Sequence, residues 1–176
     1  MKRIELNSER LVLEPLSIKH LSESYVSWIN DVEVNKFLET RGGYSIIQLE
    51  EYIINQQKKN ILFWAIIEKK SGIHIGNIKI DPIELTTLSG EYGILMGEKR
   101  FWGKGFAREA SELIISYCFK VLGLKQITLG VIEQNTNALK LYLSLGFSIT
   151  SRKERFGTYD GKLCNLIRMK LSYNEK

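Results

Sequence analysis

The stretch "RLVLEPL", residues 10–16, alternates apolar and polar positions, and a period of two predicts an opening strand with one buried face. The period then lengthens. Ile18, Leu21, Tyr25, Trp28 and Ile29 recur at helical spacing behind Ser17, a residue suited to an N-cap. "RGGY" breaks the chain. Ser45 with Gln48 three residues later predicts a capping box and a second helix through about Gln57. Strand signals follow in "LFWAIIEK" and "IHIGNIKID", joined by "SG" as a hairpin that Pro82 closes. After the loop "TTLSG" comes another strand, "EYGILMGE". From Gly105 the period changes again: Ala107, Ala110, Leu113, Ile114, Tyr117, Cys118 and Val121 share one helical face, which Gly123 stops. "QITLGVI" predicts a strand. "NTNALKLYLSLG" predicts a short helix capped by Asn135 and ended by Gly146. "FSITSRK" and "KLCNLIRMKL", separated by "YDG", predict a closing antiparallel pair.

This order is strand, two helices, three strands, helix, strand, helix, two strands. It predicts one α/β domain over residues 1–176 with a mixed sheet, and it lacks the regular alternation of a doubly wound fold. The length of 176 residues is enough to bury a real core. No repeat, low-complexity segment or flexible linker divides it.

Charge narrows the partners. The net charge of +5 suits an anionic ligand without requiring nucleic acid, and no nucleic-acid module is recognisable. The basic run "SRKERF", residues 151–156, reads as a solvated face. No apolar run approaches the roughly 20 residues that cross a bilayer, so no membrane partner is expected. The N-terminus has early cations but no apolar core behind them, so it does not read as a secretory signal; a cytoplasmic setting is expected. Cys118 and Cys164 make neither a metal motif nor a disulfide framework, and Cys118 falls on the apolar helical face. No His, Cys, Asp and Glu set has metal-ligand spacing, so no metal is expected.

The chemistry concentrates in "EKRFWGKGFAREA", residues 98–110. Gly103 and Gly105 stand among Lys99, Arg100, Lys104 and Arg108, after a strand and before the long helix. The first amides of a helix lack intrahelical partners, its dipole adds positive charge, and glycines let backbone approach a bulky anion. These properties suit a diphosphate. A P-loop needs four residues between its glycines and then Lys-Ser/Thr; a dinucleotide fingerprint needs a third glycine where Arg108 stands. ATP and NAD therefore fit poorly.

The run Arg100-Phe-Trp-Gly103-Lys-Gly105-Phe-Ala107 resembles the Arg/Gln-x-x-Gly-x-Gly/Ala signature of the GNAT superfamily of N-acetyltransferases. Asn135 to Phe147, "NTNALKLYLSLGF", resembles that family's Asn-x-x-Ala/Ser-x-x-Leu-Tyr-x-x-x-Gly-Phe segment at the expected distance. The opening residues look like the branch that holds the RimJ/RimL ribosomal-protein acetyltransferases. The resemblance covers nearly the whole chain. It implies a largely antiparallel sheet of about six to seven strands flanked by about four helices.

The same resemblance implies site residues. Amides from about Phe101 to Phe106, with Trp102, Gly103, Lys104, Gly105 and Ala107 around them, would hold the pyrophosphate of acetyl-CoA, aided by Arg100 and Lys104. Backbone at Leu95, Met96 and Gly97 would pair with the pantetheine arm. Asn135 would touch that arm while capping its helix. Tyr142 would be the general acid: a phenol titrating near 10 can donate to a thiolate, whose thiol titrates near 8.5. The general base is open. Some relatives carry a Glu where this chain has Gly130; Glu91, His74 and a water chain remain as candidates. Acceptor specificity would come from the first two helices and the final hairpin, where Asn30, Asp31, Glu33 and Glu39 are either contacts for a cationic amine or helix-surface polarity. The acceptor would be a small-molecule amine or a protein N-terminus; a weak likeness to acetyltransferases of amino sugars on nucleotides sits in the same stretch. Direct transfer is implied, with no acyl-cysteine. Edge strands of this fold often pair in relatives, so the resemblance allows a homodimer.

Overall fold

A single sheet organises the chain in the computed structural model, which describes residues 4–39, 42–59, 61–159 and 161–173. Along the chain the elements are β1 (Leu6–Asn7), β2 (Leu11–Pro15), α1 (Glu23–Asn30), α2 (Val32–Asn35), α3 (Ile46–Lys58), β3 (Leu62–Glu68), β4 (Ile73–Glu84), β5 (Ser89–Met96), α4 (Phe106–Lys120), β6 (Gln126–Ile132), α5 (Thr136–Ser144), β7 (Ser148–Tyr159) and β8 (Lys162–Ser172). Among the described residues, eight strands lie in the order β1-β2-β3-β4-β5-β6-β8-β7 with five α-helices around them. Every neighbouring pair is antiparallel except β5 with β6. The expected mixed, largely antiparallel α/β architecture is present, with more strands and helices than the pattern predicted.

Strand alternation sorts the core into two layers. Trp64, Ile78, Ile127, Leu129 and Ile167 point to one face, where α4 supplies Ala110, Ile114 and Cys118 and α5 supplies Tyr142. Phe63 and Ala65, the alternate residues of β3, point to the other face and meet Tyr25, Trp28, Leu49 and Ile53 of α1 and α3. The α1–α3 layer covers one half of its face. Beyond Leu95, the strand positions toward β8 on this face meet only a small cluster of Ile132, Tyr159 and Cys164, with Phe37 and Leu166 packed on it.

Several local expectations need correction. Ser17 does not start the first α-helix. It precedes a 3-10 turn at Ile18–His20 that ends at an extended Leu21, and Ser22 caps α1 by accepting from the Tyr25 amide at 3.2 Å. Pro82 does not close its hairpin strand. β4 runs on to Glu84 because a register shift between Ile80 and Ile83 accommodates the residue that lacks an N–H. Val121 is 64% exposed at the end of α4, and Phe106 and Ser111 are buried in its place. The two-residue β1 is too short to show a period. The capping box of Ser45 and Gln48 forms as read. Thr40, Arg41 and Asp160, the last in the expected "YDG" turn, lie outside the described residues. No helix among the described residues is long and apolar enough to cross a membrane.

Candidate active site

The glycine loop stands at the mouth of α4. Gly103 has φ +72° with nothing within 4 Å of a would-be Cβ. Gly105 is left-handed at φ 82°, ψ 0° and occupies the N-cap without a side chain that could satisfy the first turn. The first intrahelical bond is Glu109 N to Gly105 O at 3.1 Å. The amides of Gly103 through Arg108 have no partner among the described residues. Those of Phe101 and Trp102 are tied into a 3-10 turn by the carbonyls of Glu98 and Lys99. The free amide run is therefore displaced toward the helix relative to the expected Phe101–Phe106. Gly103, Lys104, Gly105, Phe106 and Ala107 remain in it, and Arg100 and Lys104 are exposed beside it. An open backbone cradle at a helix N-terminus fits a pyrophosphate.

Long-range contacts hold this loop. Arg10 Nη1 donates to Lys104 O at 3.0 Å, and the Arg10 guanidinium stacks 4.4 Å from the Phe106 ring centre. Arg10 Nε bonds Glu109 Oε2 at 2.6 Å; Glu109 Oε1 accepts from the Arg10 amide and the Ser8 hydroxyl, each at 2.8 Å. Trp102 Nε1 donates to Met96 O at 2.9 Å and ties the loop to β5. Sequence reasoning missed Arg10 and Ser8, and it placed Trp102 in the cradle without its indole tie to β5. Glu109 alone left a signal, as an acid in the first turn of a helix.

Beside the loop the sheet opens. β5 pairs with β6 only over Ser89–Glu91 against Gln126–Thr128. Beyond that point Tyr92–Met96 pair only with β4, and Leu129–Ile132 only with β8. The gap between the two strands leaves backbone groups on the β6 edge of β5 without a strand partner, as a pantetheine arm requires. Some groups expected to serve it are engaged elsewhere. The Gly97 amide donates to Ile75 O at 3.0 Å, and the Met96 carbonyl accepts from Trp102. The Leu95 carbonyl abuts Gly76 of β4, so closely that a Cβ there would stand 2.3 Å from it. Gly97 has a packing reason too: an added Cβ would lie 2.1 Å from Trp28 Cδ2.

Tyr142 reaches the gap from the α4–α5 face. Its ring packs edge-on to Tyr92 at 5.8 Å and tilted on Phe147 at 6.0 Å. Burial pushes its phenol up to about 12. Its hydroxyl has no hydrogen-bond partner among the described residues, whereas the neighbouring Tyr92 hydroxyl is satisfied by Ser111 at 2.7 Å. Asn135 caps α5 by accepting from the Ala138 amide at 3.3 Å. Its Nδ2 donor has no partner among the described residues and remains for a ligand.

The candidate bases sit on the opposite face. Glu91 is the last β5 residue paired to β6, and Arg168 of β8 grips it with Nη1–Oε1 and Nη2–Oε2 bonds of 2.7 Å each. Both carboxylate oxygens are thus engaged, and Glu91 in turn holds the Arg168 guanidinium above its ordinary range. Gly130 makes this reach feasible, since Arg168 lies across it and a Cβ there would meet Arg168 Nη1 at 3.1 Å. His74 is boxed by His20, Tyr25 and Trp28, and burial lowers its ring to about 4. Its Nε2 lies 2.9 Å from Gly76 O and 3.1 Å from Asn77 Oδ1. That ring is packed rather than poised for an amine.

The expected acceptor polarity of the first helices has structural partners. Asp31 caps α2 by accepting from the Glu33 and Val34 amides, and Lys99 bridges Asp31 at 2.7 Å and Glu33 at 2.6 Å. Asn30 exchanges two bonds with the backbone of Tyr44. Glu39 is exposed. A cleft of about 390 Å³ lies between α1 and the end of β5, lined by Glu23, Ser24, Ser27, Trp28, Asp31, Gly97, Glu98 and Lys99. Burial pushes the Cys118 thiol up to about 12, which disfavours a thiolate there, and Cys164 is buried as well.

These features agree with known proteins. Residues 10–148 match the family described as acetyltransferase (GNAT) domain. An uncharacterised N-acetyltransferase, p20, from Bacillus licheniformis is 28% identical over 177 residues, which covers 97% of each chain. The solved spermidine N-acetyltransferase of Vibrio cholerae, in complex with CoA and spermine, superposes with a TM-score of 0.85 at 23% identity over 94% of this chain and 96% of that one. The ribosomal-protein-S5-alanine acetyltransferase of Vibrio fischeri superposes with a TM-score of 0.82 at 16% identity over 96% of each chain. The open glycine cradle, the parting of β5 from β6 and the match over most of the sequence have one common meaning: the chain belongs to the GNAT acetyltransferase family.

Proposed function

We propose that this protein transfers the acetyl group of acetyl-CoA directly to a primary amine of a small molecule or of a protein N-terminus, with Tyr142 as the general acid. The observation that carries the reading is the unpartnered Tyr142 hydroxyl at the gap between β5 and β6. Acetyl-CoA, when bound, supplies an acetyl group on a sulfur that departs as a thiolate. The free amides from Gly103 to Arg108 bind its diphosphate, with Lys104 and Arg100 adding charge. The Asn135 amide and the open edge of β5 orient the arm. Tyr142, held protonated by its buried site, donates to the leaving sulfur.

Proton removal from the amine needs another route. Arg168 takes one lone pair on each Glu91 oxygen, which ties the carboxylate to the guanidinium rather than leaving it free to turn toward an amine. His74 stays neutral but enclosed. The open face beside Glu91 admits water, and we assign the proton to solvent. The RimJ/RimL-like branch remains our reading of the opening segment, and the sheet edges keep a homodimer open to test.

The test is thiol release from acetyl-CoA over a panel of N-terminal peptides, amino sugars and polyamines, with Tyr142→Phe alongside. Release that falls sharply in the variant supports the reading. Acetyl-CoA binding without release for any amine would reduce the protein to a CoA-binding module.

A further inference from the structure

The Glu91–Arg168 pair lies across the mouth of the open face where β5 and β6 part. Three strands contribute to it. Arg168 starts on β8, passes over Gly130 of β6 and reaches Glu91 on β5. The two side chains are 34% and 35% exposed, so the pair meets solvent at the mouth of the gap. Tyr142 faces the same gap from the other side, because its contact Tyr92 is the strand neighbour of Glu91 and points the opposite way. An amine that approached the gap from the face opposite Tyr142 would pass this pair.

A guanidinium has five N–H donors, and two of them serve Glu91. The remaining three have no partner among the described residues. Glu91 therefore fixes the fork and leaves its other donors directed away from the pair. Lys170, two residues on and opposite Thr128, presents its ammonium to the same face without a described partner. Lys79 lies along Gly93, whose would-be Cβ is 3.4 Å from Lys79 Cε, and its contact with Asp81 is loose at 3.8 Å. Of the nearby carboxylates Asp81 keeps only that loose contact, and the other two are engaged. Glu91 is held by Arg168, and Glu133 by Arg152 at 2.8 and 2.9 Å and by Asn165 at 2.6 Å. The face offers free cationic donors and few free acceptors. A polyamine would bring further positive charge to it. An acceptor with a carboxylate or phosphate beside its amine would take the unused fork, for which guanidinium geometry is matched.

We infer that Arg168 is a specificity-determining residue, positioned by Glu91, that selects primary amines carrying an anionic group. This rests on the acetyltransferase reading above and names its acceptor class. The test pairs amines that differ in that group: ethanolamine with phosphoethanolamine, glucosamine with glucosamine 6-phosphate, glycinamide with glycine, and spermidine as the cationic extreme. Thiol release is measured for the native protein, Arg168→Gln and Arg168→Lys. A charged hydrogen-bonded contact predicts roughly tenfold or more in kcat/KM for the anionic member of at least one pair. The advantage collapses in Arg168→Gln through KM, and Arg168→Lys, which keeps charge but not the fork, restores only part of it. Equal rates within every pair, a preference for spermidine through the acidic α1 cleft, or an anionic preference that survives Arg168→Gln overturns the inference. If no amine releases thiol, the acetyltransferase reading fails separately. Calorimetry of the same pairs against the CoA-loaded protein then decides the inference: an Arg168-dependent preference for the anionic member upholds it, and its absence overturns it.

Discussion

The two faces of the gap between β5 and β6 are built from different materials. The α4–α5 face presents backbone, in the free amides of Gly103 through Arg108, and the unpartnered hydroxyl of one side chain, Tyr142. The opposite face presents side chains from distant strands, with Glu91, Gly130 and Arg168 brought together across β5, β6 and β8. A backbone site is specified by where glycines and helix starts fall, so it is compact in sequence. A side-chain site is specified by register, so its members lie far apart. The first kind suits a ligand that is always the same, the second an acceptor that differs among relatives.

The largest effect that tests this contrast is at Tyr142. Tyr142→Phe keeps the ring contacts with Tyr92 and Phe147 and removes only the hydroxyl. We expect kcat to fall about 10²-fold, the lower range for general acids, with a thermal midpoint little changed because the hydroxyl bonds nothing described. A kcat within about twofold of native breaks the assignment. The pH profile sharpens it. An acid works while protonated, and a phenol raised to about 12 stays protonated through mild alkali. The kcat of the native protein should therefore show no alkaline fall up to about pH 10.

Next come two glycines with different duties. Gly97→Ala drives a Cβ into Trp28, whose ring is 5% exposed and cannot swing aside freely. Overpacking of this kind costs about 1–3 kcal/mol, a fall of roughly 2–10 °C in the thermal midpoint. Gly105→Ala meets no such wall, since its nearest neighbour is Arg10 Nη2 at 3.4 Å. Its penalty is the left-handed φ of 82°, about 1 kcal/mol, released by rotating the amides of the cradle. Calorimetry should show acetyl-CoA affinity falling several-fold for Gly105→Ala with a smaller stability loss than Gly97→Ala. The reverse order would mean that the loop glycine serves packing and not the ligand.

How much was legible follows from the same contrast. The strand at 126–132 and the helices that begin at Phe106 and Thr136 were legible because each keeps one period, although Val121, placed on the apolar face of the first helix, lies past its end and is exposed. Ser17 misled because the helical spacing of Ile18 and Leu21 continues across the extended break at Leu21, which a period cannot see. The cradle was visible as glycines before a helix, though its free amides begin two residues later than expected because the 3-10 turn uses the earlier ones. Glu91 was visible as a carboxylate but its engagement was not, since Arg168 is 77 residues away and only the β6–β8 register carries it across Gly130. Arg10 was invisible for the same reason, 99 residues from Glu109.

That Arg10–Glu109 contact gives the smallest predicted effect and the finest test of the contrast, because here charge acts on backbone instead of on a ligand. Burial tends to raise the Glu109 carboxyl, but the Arg10 amide, the Ser8 hydroxyl and the Arg10 guanidinium outweigh it and hold the group below its ordinary value. A depressed carboxylate stabilises the fold above its unfolded pKa, near 4.5, and loses that contribution as pH falls through the folded value. Removing the guanidinium raises the folded value toward the unfolded one, so the acid loss should shrink. Arg10 is 41% exposed, so solvent screening limits the pair to about 0.5–1 kcal/mol. We expect the urea midpoint of the native protein to drop more between pH 7 and pH 3.5 than that of Arg10→Ala. The variant should also bind acetyl-CoA slightly less well at pH 7, since the Lys104 carbonyl loses its donor and the cradle loosens. Parallel acid profiles with unchanged affinity would show that the cradle stands on its glycines alone.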